Sequence, residues 1–167
     1  MNTNIRTRKK IKPGMLVLSG VAILLFSSCL KSNLPAYPAY GSDYINEVYF
    51  QYRWLDSNVV SNGQPVVAVE NLSVTQQIDT ATGTITCQVT VPPVNGDFDA
   101  YQRSLVSLDS IWVYVDISSG ATVTPVGSAP VFAYQGNYSI PQQYRVTAAN
   151  PDSSRVWTIK VTSFLKP

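Results

Sequence analysis

Thr84-Ile85-Thr86-Cys87-Gln88-Val89-Thr90-Val91 alternates apolar and polar side chains without a break and is stopped by Pro92-Pro93. A period of two puts Ile85, Cys87, Val89 and Val91 on one side of an extended chain, which is the pattern of a half-buried β-strand. Proline cannot donate to a strand ladder, so the run ends where the sequence says it ends. Outward from this stretch the same period recurs. Val48, Phe50, Tyr52 and Trp54 alternate with Glu47, Tyr49, Gln51 and Arg53, and Ile111, Val113, Val115 and Ile117 alternate with Ser110, Trp112, Tyr114 and Asp116.

Weaker strand patterns cover Pro65 to Val69, Leu72 to Ile78, Ala121 to Val126 and Val131 to Tyr134, and a closing pair covers Tyr144 to Ala148 and Val156 to Phe164. Asn62-Gly63, Asp79 to Gly83, Ser118-Ser119-Gly120 and Asn150-Pro151-Asp152 supply the turns. Pro125 assigns its strand to an edge. Asp97 to Leu105 has room for a helical turn or two, and no window holds a 3.6-residue period for three turns. Many short strands at this spacing, from residue 43 to residue 167, predict an all-β antiparallel two-sheet sandwich.

The chain has 167 residues, 45% of them hydrophobic, and contains no histidine. The missing imidazole excludes Ser-His-Asp and Cys-His catalysis and every His-containing zinc site. Ten acidic residues allow many carboxylate pairs, but no spacing selects one for glycoside hydrolysis. Asp97 and Asp99 lie two apart in a loop, yet the EF-hand pattern fails because Ala100 and Val106 occupy its glycine and bidentate-glutamate positions. The sequence therefore predicts no enzyme, no metal site and no cofactor. A buried small hydrophobe is the expectation for Cys87, which shares its face with Ile85, Val89 and Val91.

The first 29 residues read differently. Arg6, Arg8, Lys9, Lys10 and Lys12 precede an uncharged, largely apolar run from Met15 to Phe26, which is too short to span a bilayer comfortably, since about 20 apolar residues are needed. The run ends Phe26-Ser27-Ser28-Cys29. Small residues directly before a cysteine resemble the lipobox of bacterial lipoproteins. That resemblance implies that residues 1–28 are a signal peptide and that Cys29 is the lipidated first residue of the mature chain. An ordinary secretory signal and an uncleaved single-pass anchor are the alternatives. Residues 29–42, with Pro35 and Pro38, read as a tether. The leader holds five of the twelve basic residues, which leaves seven against ten acidic ones, a formal balance of −3. The basicity of the whole chain thus gives no support to nucleic-acid binding.

A second resemblance concerns the C-terminal half. Ala121-Thr122-Val123-Thr124-Pro125, Tyr144-Arg145-Val146-Thr147-Ala148-Ala149-Asn150 and Trp157-Thr158-Ile159-Lys160-Val161 resemble the closing strands of Ig-like domains in Gram-negative surface lipoproteins. Many of those are encoded beside glycan-uptake systems. The likeness implies an immunoglobulin-like sandwich held at the outer membrane by lipid, on the surface or on the periplasmic side. It carries no catalytic residue across.

Binding is the remaining function class. Aromatic rings stack on the apolar faces of sugars, and Trp112 and Tyr114, two residues apart on the face opposite Ile111 and Val113, are the candidate platform. The competing partner is an outer-membrane protein, reached through a sheet edge with no small-molecule ligand. Intact-mass analysis of the native protein checks the lipoprotein reading: the mass should equal residues 29–167 plus acyl groups on Cys29. A retained leader or an unmodified thiol refutes it.

Overall fold

The computed structural model describes residues 40–150 and 152–167. The leader 1–28, Cys29 and the tether as far as residue 39 lie outside the described residues, as does Pro151. Among the described residues no helix is long and apolar enough to cross a membrane.

Nine strands are described: β1 (Ile45–Ser61), β2 (Gln64–Asn71), β3 (Ser73–Asp79), β4 (Thr84–Thr90), β5 (Ile111–Ile117), β6 (Thr122–Pro125), β7 (Gln135–Gly136), β8 (Gln142–Thr147) and β9 (Ser154–Leu165). One short helix, α1 (Ala100–Leu105), follows β4. Sheet 1 has the order β2-β1-β5-β7, and sheet 2 the order β3-β4-β9-β8-β6. The chain passes from sheet 1 to sheet 2 at Leu72, whose side chain is buried and whose N–H donates to the Phe50 carbonyl at 3.0 Å.

The all-β sandwich agrees with the alternation in the sequence, but two details differ. First, sheet 2 is mixed: β4 and β9 run parallel, Ile85 beside Ile159 and Cys87 beside Val161. A period of two reports which side chains share a face and says nothing about strand direction, so periodicity alone could not have shown this. Second, Val131 to Tyr134 is a turn region, and the strand lies one step later as β7. Ala133 there holds a left-handed backbone (φ 65°) while its N–H donates to the Val113 carbonyl at 2.9 Å.

The turn expected at Asn62-Gly63 is present and closes a β1–β2 hairpin. Asn62 (φ 52°) and Gly63 (φ 78°) are its two loop residues, and Ser61 pairs with Gln64. Two successive positive φ angles are what a type I′ turn demands, and Asn-Gly is the dipeptide that meets them most cheaply. Gly83 is required for a different reason: a Cβ there would lie 2.7 Å from the Val156 carbonyl oxygen. That close approach lets Thr158 donate to the Gly83 carbonyl at 2.8 Å.

One apolar cluster joins the inner faces of both sheets. It combines Val48 and Phe50 of β1 and Ile111 and Val113 of β5 with Ile85, Cys87 and Val89 of β4, Tyr144 and Val146 of β8, and Trp157 and Ile159 of β9. Trp157 is 0% exposed, and its indole N–H donates to the Asp43 carbonyl at 2.8 Å. Asp43 also accepts from Ser153 Oγ at 3.1 Å and pairs with Arg155 at 3.4 Å. The point where the chain enters β1 is thereby pinned to β9. Two buried phenols close another part of the core: the Tyr138 and Tyr144 hydroxyls lie 2.8 Å apart, and Tyr144 donates to the Pro130 carbonyl at 2.8 Å.

At the far end of β1, Tyr52 and Trp54 stack at 5.6 Å and Phe98 packs against both. Phe98 arrives on the loop after β4, which α1 fixes in place. Asp99 caps α1 by accepting from the Gln102 N–H at 2.8 Å, Gln102 Oε1 accepts from the Tyr52 hydroxyl at 3.0 Å, and Arg103 Nε donates to the Pro92 carbonyl at 2.8 Å.

Burial pushes the Cys87 thiol up to about 11 and the Tyr138 phenol up to about 12, because the charged forms cannot be solvated there. A folded-state value above the unfolded one means that the unfolded chain releases its proton first as pH rises. Stability from Cys87 is therefore complete below about pH 9 and declines between pH 9 and 11, by at most about 3 kcal/mol. Urea melts at pH 7 and pH 10 should show this loss, and Cys87→Val should reduce it. Tyr144→Phe, which leaves the Pro130 carbonyl without its donor, should cost about 1–3 kcal/mol at pH 7 in the same melts.

Candidate outward-facing platform on sheet 1

The alternation that fills the core also decides what stands on the solvent side. Along β1, Val48 and Phe50 point inward, so Tyr49, Gln51, Arg53 and Leu55 point outward. Along β5, Ile111 and Val113 are buried, so Trp112 and Tyr114 point outward, and both are half-buried. The β1–β5 register sets Tyr49 opposite Tyr114 and Gln51 opposite Trp112. On the other flank, β2 sets Val69 opposite Arg53 and Val67 opposite Leu55. The result is one continuous outer face across three strands. Tyr49 is 43% exposed, Val67 53% and Leu55 68%.

Polar contacts hold this face in shape. Asn71 Oδ1 accepts from Gln51 Nε2 at 2.9 Å, and Gln51 Oε1 accepts from Arg53 Nη2 at 2.9 Å. The Arg53 guanidinium lies over the Tyr114 ring with its carbon 5.3 Å from the ring centre, within the range of a cation–π contact. At the end of the face nearer to Ile45, Tyr49 donates to Glu47 at 2.5 Å, and this bond to a carboxylate raises the phenol above its ordinary value. Beyond Gln51 the surface sinks into a cleft of about 290 Å³ lined by Arg53, Trp54, Leu55, Val67 and Trp112. A second, more polar hollow of about 230 Å³ adjoins it, lined by Trp54, Leu55, Asp56, Gly96, Asp97, Asp99 and Gln102. The two share Trp54 and Leu55.

Trp112 and Tyr114, the pair singled out from the sequence, therefore stand on the outer face of sheet 1. Trp54 and Trp157 contribute to the inner packing. Asp97 and Asp99 share a hollow with Asp56, although Asp99 spends one oxygen on the α1 cap. Among the described residues, no three His, Cys, Asp or Glu side chains gather as metal ligands would. Sequence reasoning passed over Arg53, Leu55 and Val67. The available signal was that β1, β2, β5 and β7 together contain a single basic residue, Arg53. Its place beside Trp112 required the strand register, which one sequence does not supply.

Two solved structures are similar to this chain. A crystal structure of a predicted secreted protein from Bacteroides fragilis is 32% identical, with a TM-score of 0.71, and the match covers 78% of this chain and 100% of that one. A predicted glycoside hydrolase from Bacteroides thetaiotaomicron aligns at 17% identity and a TM-score of 0.43, over 80% of this chain and 27% of that one. No curated protein matches. The profile of the DUF5018-related family matches residues 45–160, nearly the whole span from β1 to β9, and the chain belongs to that family.

Proposed function

We propose that this chain is a lipid-anchored protein of the bacterial envelope whose immunoglobulin-like domain is a non-catalytic binding module. The outer face of sheet 1 captures glycans for an uptake system. One observation carries the reading: Trp112 and Tyr114 stand side by side on the solvent face of a central strand whose opposite face is core. A ring held there is positioned by the whole sandwich, so binding costs little side-chain ordering. Sugars suit such a surface, because their apolar faces stack on rings while their hydroxyls reach Gln51, Tyr49 and the polar hollow.

The address rests on the leader pattern ending at Cys29, and it is supported by the secreted character ascribed to the Bacteroides fragilis relative. The domain's own geometry suits display at the end of a tether. The chain enters at Asp43, and the cleft lies at Arg53 and Leu55, eight and ten residues along β1 from Ile45, or about 26–33 Å of strand. A ligand thus meets the domain well away from the point where the tether joins.

A glycan array probed with the detergent-solubilised full chain tests this. Saturable binding to at least one glycan is expected, weakened about 2- to 12-fold by Trp112→Ala, the range for loss of one stacked ring. Thermal melting of the variant should stay close to the parent, since Trp112 lies outside the core cluster. Silence across the array, together with co-purification of a membrane protein, would replace capture with docking.

A further inference from the structure

Arg53 is anomalous in its surroundings. It stands in the middle of a face of rings and aliphatic side chains, and it is the one basic residue in the four strands of sheet 1. A guanidinium offers five N–H donors. Arg53 spends one on Gln51 and rests the flat of the group on Tyr114. Its Nε is the one buried side-chain nitrogen or oxygen among the described residues that has no hydrogen-bond partner. An unpaired buried donor is a cost that folded proteins seldom retain, and here it borders a cleft that opens between Arg53 and Trp112.

From this we infer that the glycans taken by the platform are acidic, and that Arg53 reads a sugar carboxylate while Trp112 carries the ring. The inference rests on the glycan-binding reading and narrows it to uronic-acid-bearing oligosaccharides. The chemistry is specific. A carboxylate presents two coplanar oxygens at the spacing of a guanidinium edge, so Nε–H and a neighbouring Nη–H bind it side-on, as a fork. Lifting Arg53 slightly from Tyr114 frees that edge and gives the orphaned Nε its partner. Tyr114 would keep the guanidinium oriented until the ligand arrives, which lowers the ordering cost of binding.

Charge elsewhere on this face and in the adjoining hollow is acidic, so Arg53 is the one place on the outer face of sheet 1 that attracts an anion. Glu47 and Asp116 are paired at the other end of the same face, about 20 Å of strand from Arg53, and Asp97 and Asp99 line the adjoining hollow. Carboxylates there repel a second acidic group but accept sugar hydroxyls. The site therefore has one cationic subsite flanked by hydroxyl-accepting ones.

Calorimetric titration of the full chain in detergent, with hyaluronate, alginate and polygalacturonate oligosaccharides each beside its carboxyl-reduced form, decides the matter. At least one acid form should bind at least tenfold more tightly than its reduced partner, and that advantage should shrink as salt is raised. Arg53→Gln should abolish the advantage, so that acid and reduced forms bind with equal affinity, and Arg53→Lys, which keeps the charge without the fork, should fall between. Melting curves confirm that both variants are folded. Equal binding of acid and reduced forms, still weakened by Trp112→Ala, overturns the assignment of ligand class and leaves the platform standing. Failure of every sugar, acid or reduced, here and on the array, overturns both.

Discussion

The pairing of β1 with β5 is the constraint on which the rest of the domain depends. Phe50 lies beside Val113 and Gln51 beside Trp112, so the inner and outer faces of sheet 1 are assigned together. Because the side-chain period of a strand is two, a slip of one residue would turn Val48, Phe50 and Tyr52 to solvent and bury Tyr49, Gln51 and Arg53. Burying Arg53 without a paired anion is costly enough to exclude that alternative by itself. The same residue that stands out on the outer face thus also disfavours any register slipped by one residue. Val48 is tied down a second time, from sheet 2, where Gln76 Oε1 accepts its N–H at 3.0 Å.

The core is unusual in how its polar groups are spent. Tyr138, Tyr144 and Trp157 are large side chains with buried polar atoms, and each atom is answered by a carbonyl or by another phenol. Such pairings make a small sandwich specific, because a buried hydroxyl tolerates few arrangements. The Trp157 bond to the Asp43 carbonyl has a further effect: it holds the start of β1 against β9, so a pull on the chain at residue 43 loads a buried hydrogen bond backed by the Arg155 ion pair.

Much of the architecture was legible in the residues. The alternation in Thr84 to Val91 located a core strand, the Asn62-Gly63 pair located a turn, Pro125 located an edge, and Asp97 to Leu105 was the stretch with room for the helical turns of α1. What the residues withheld was pairing. Nothing in Thr84 to Val91 distinguishes a parallel neighbour from an antiparallel one, and nothing in the two-residue β7 rises above the turn chemistry around it. The candidate site shows the same division. Trp112 and Tyr114 were visible as an i, i+2 pair, whereas Arg53, some sixty residues earlier, joins them only through hydrogen-bonded register.

A face that is both ring-rich and exposed must be reconciled with solubility. Leu55, Val67 and Val69 alone would form an apolar patch of the kind that draws proteins together. Arg53 stands opposite Val69 at one end of that patch, and Gln51 and Asn71 form a polar pair in the row beyond it. A surface built for a hydrated, hydroxyl-bearing ligand gains from such a mixture, since rings and aliphatic groups supply area while the scattered polar groups supply orientation. Arg53 among Trp112, Tyr114, Leu55 and Val67 gives this face the mixture of rings, aliphatic area and scattered polar groups on which the proposed sugar ligand rests, and among the described residues β3 forms an edge of the other sheet.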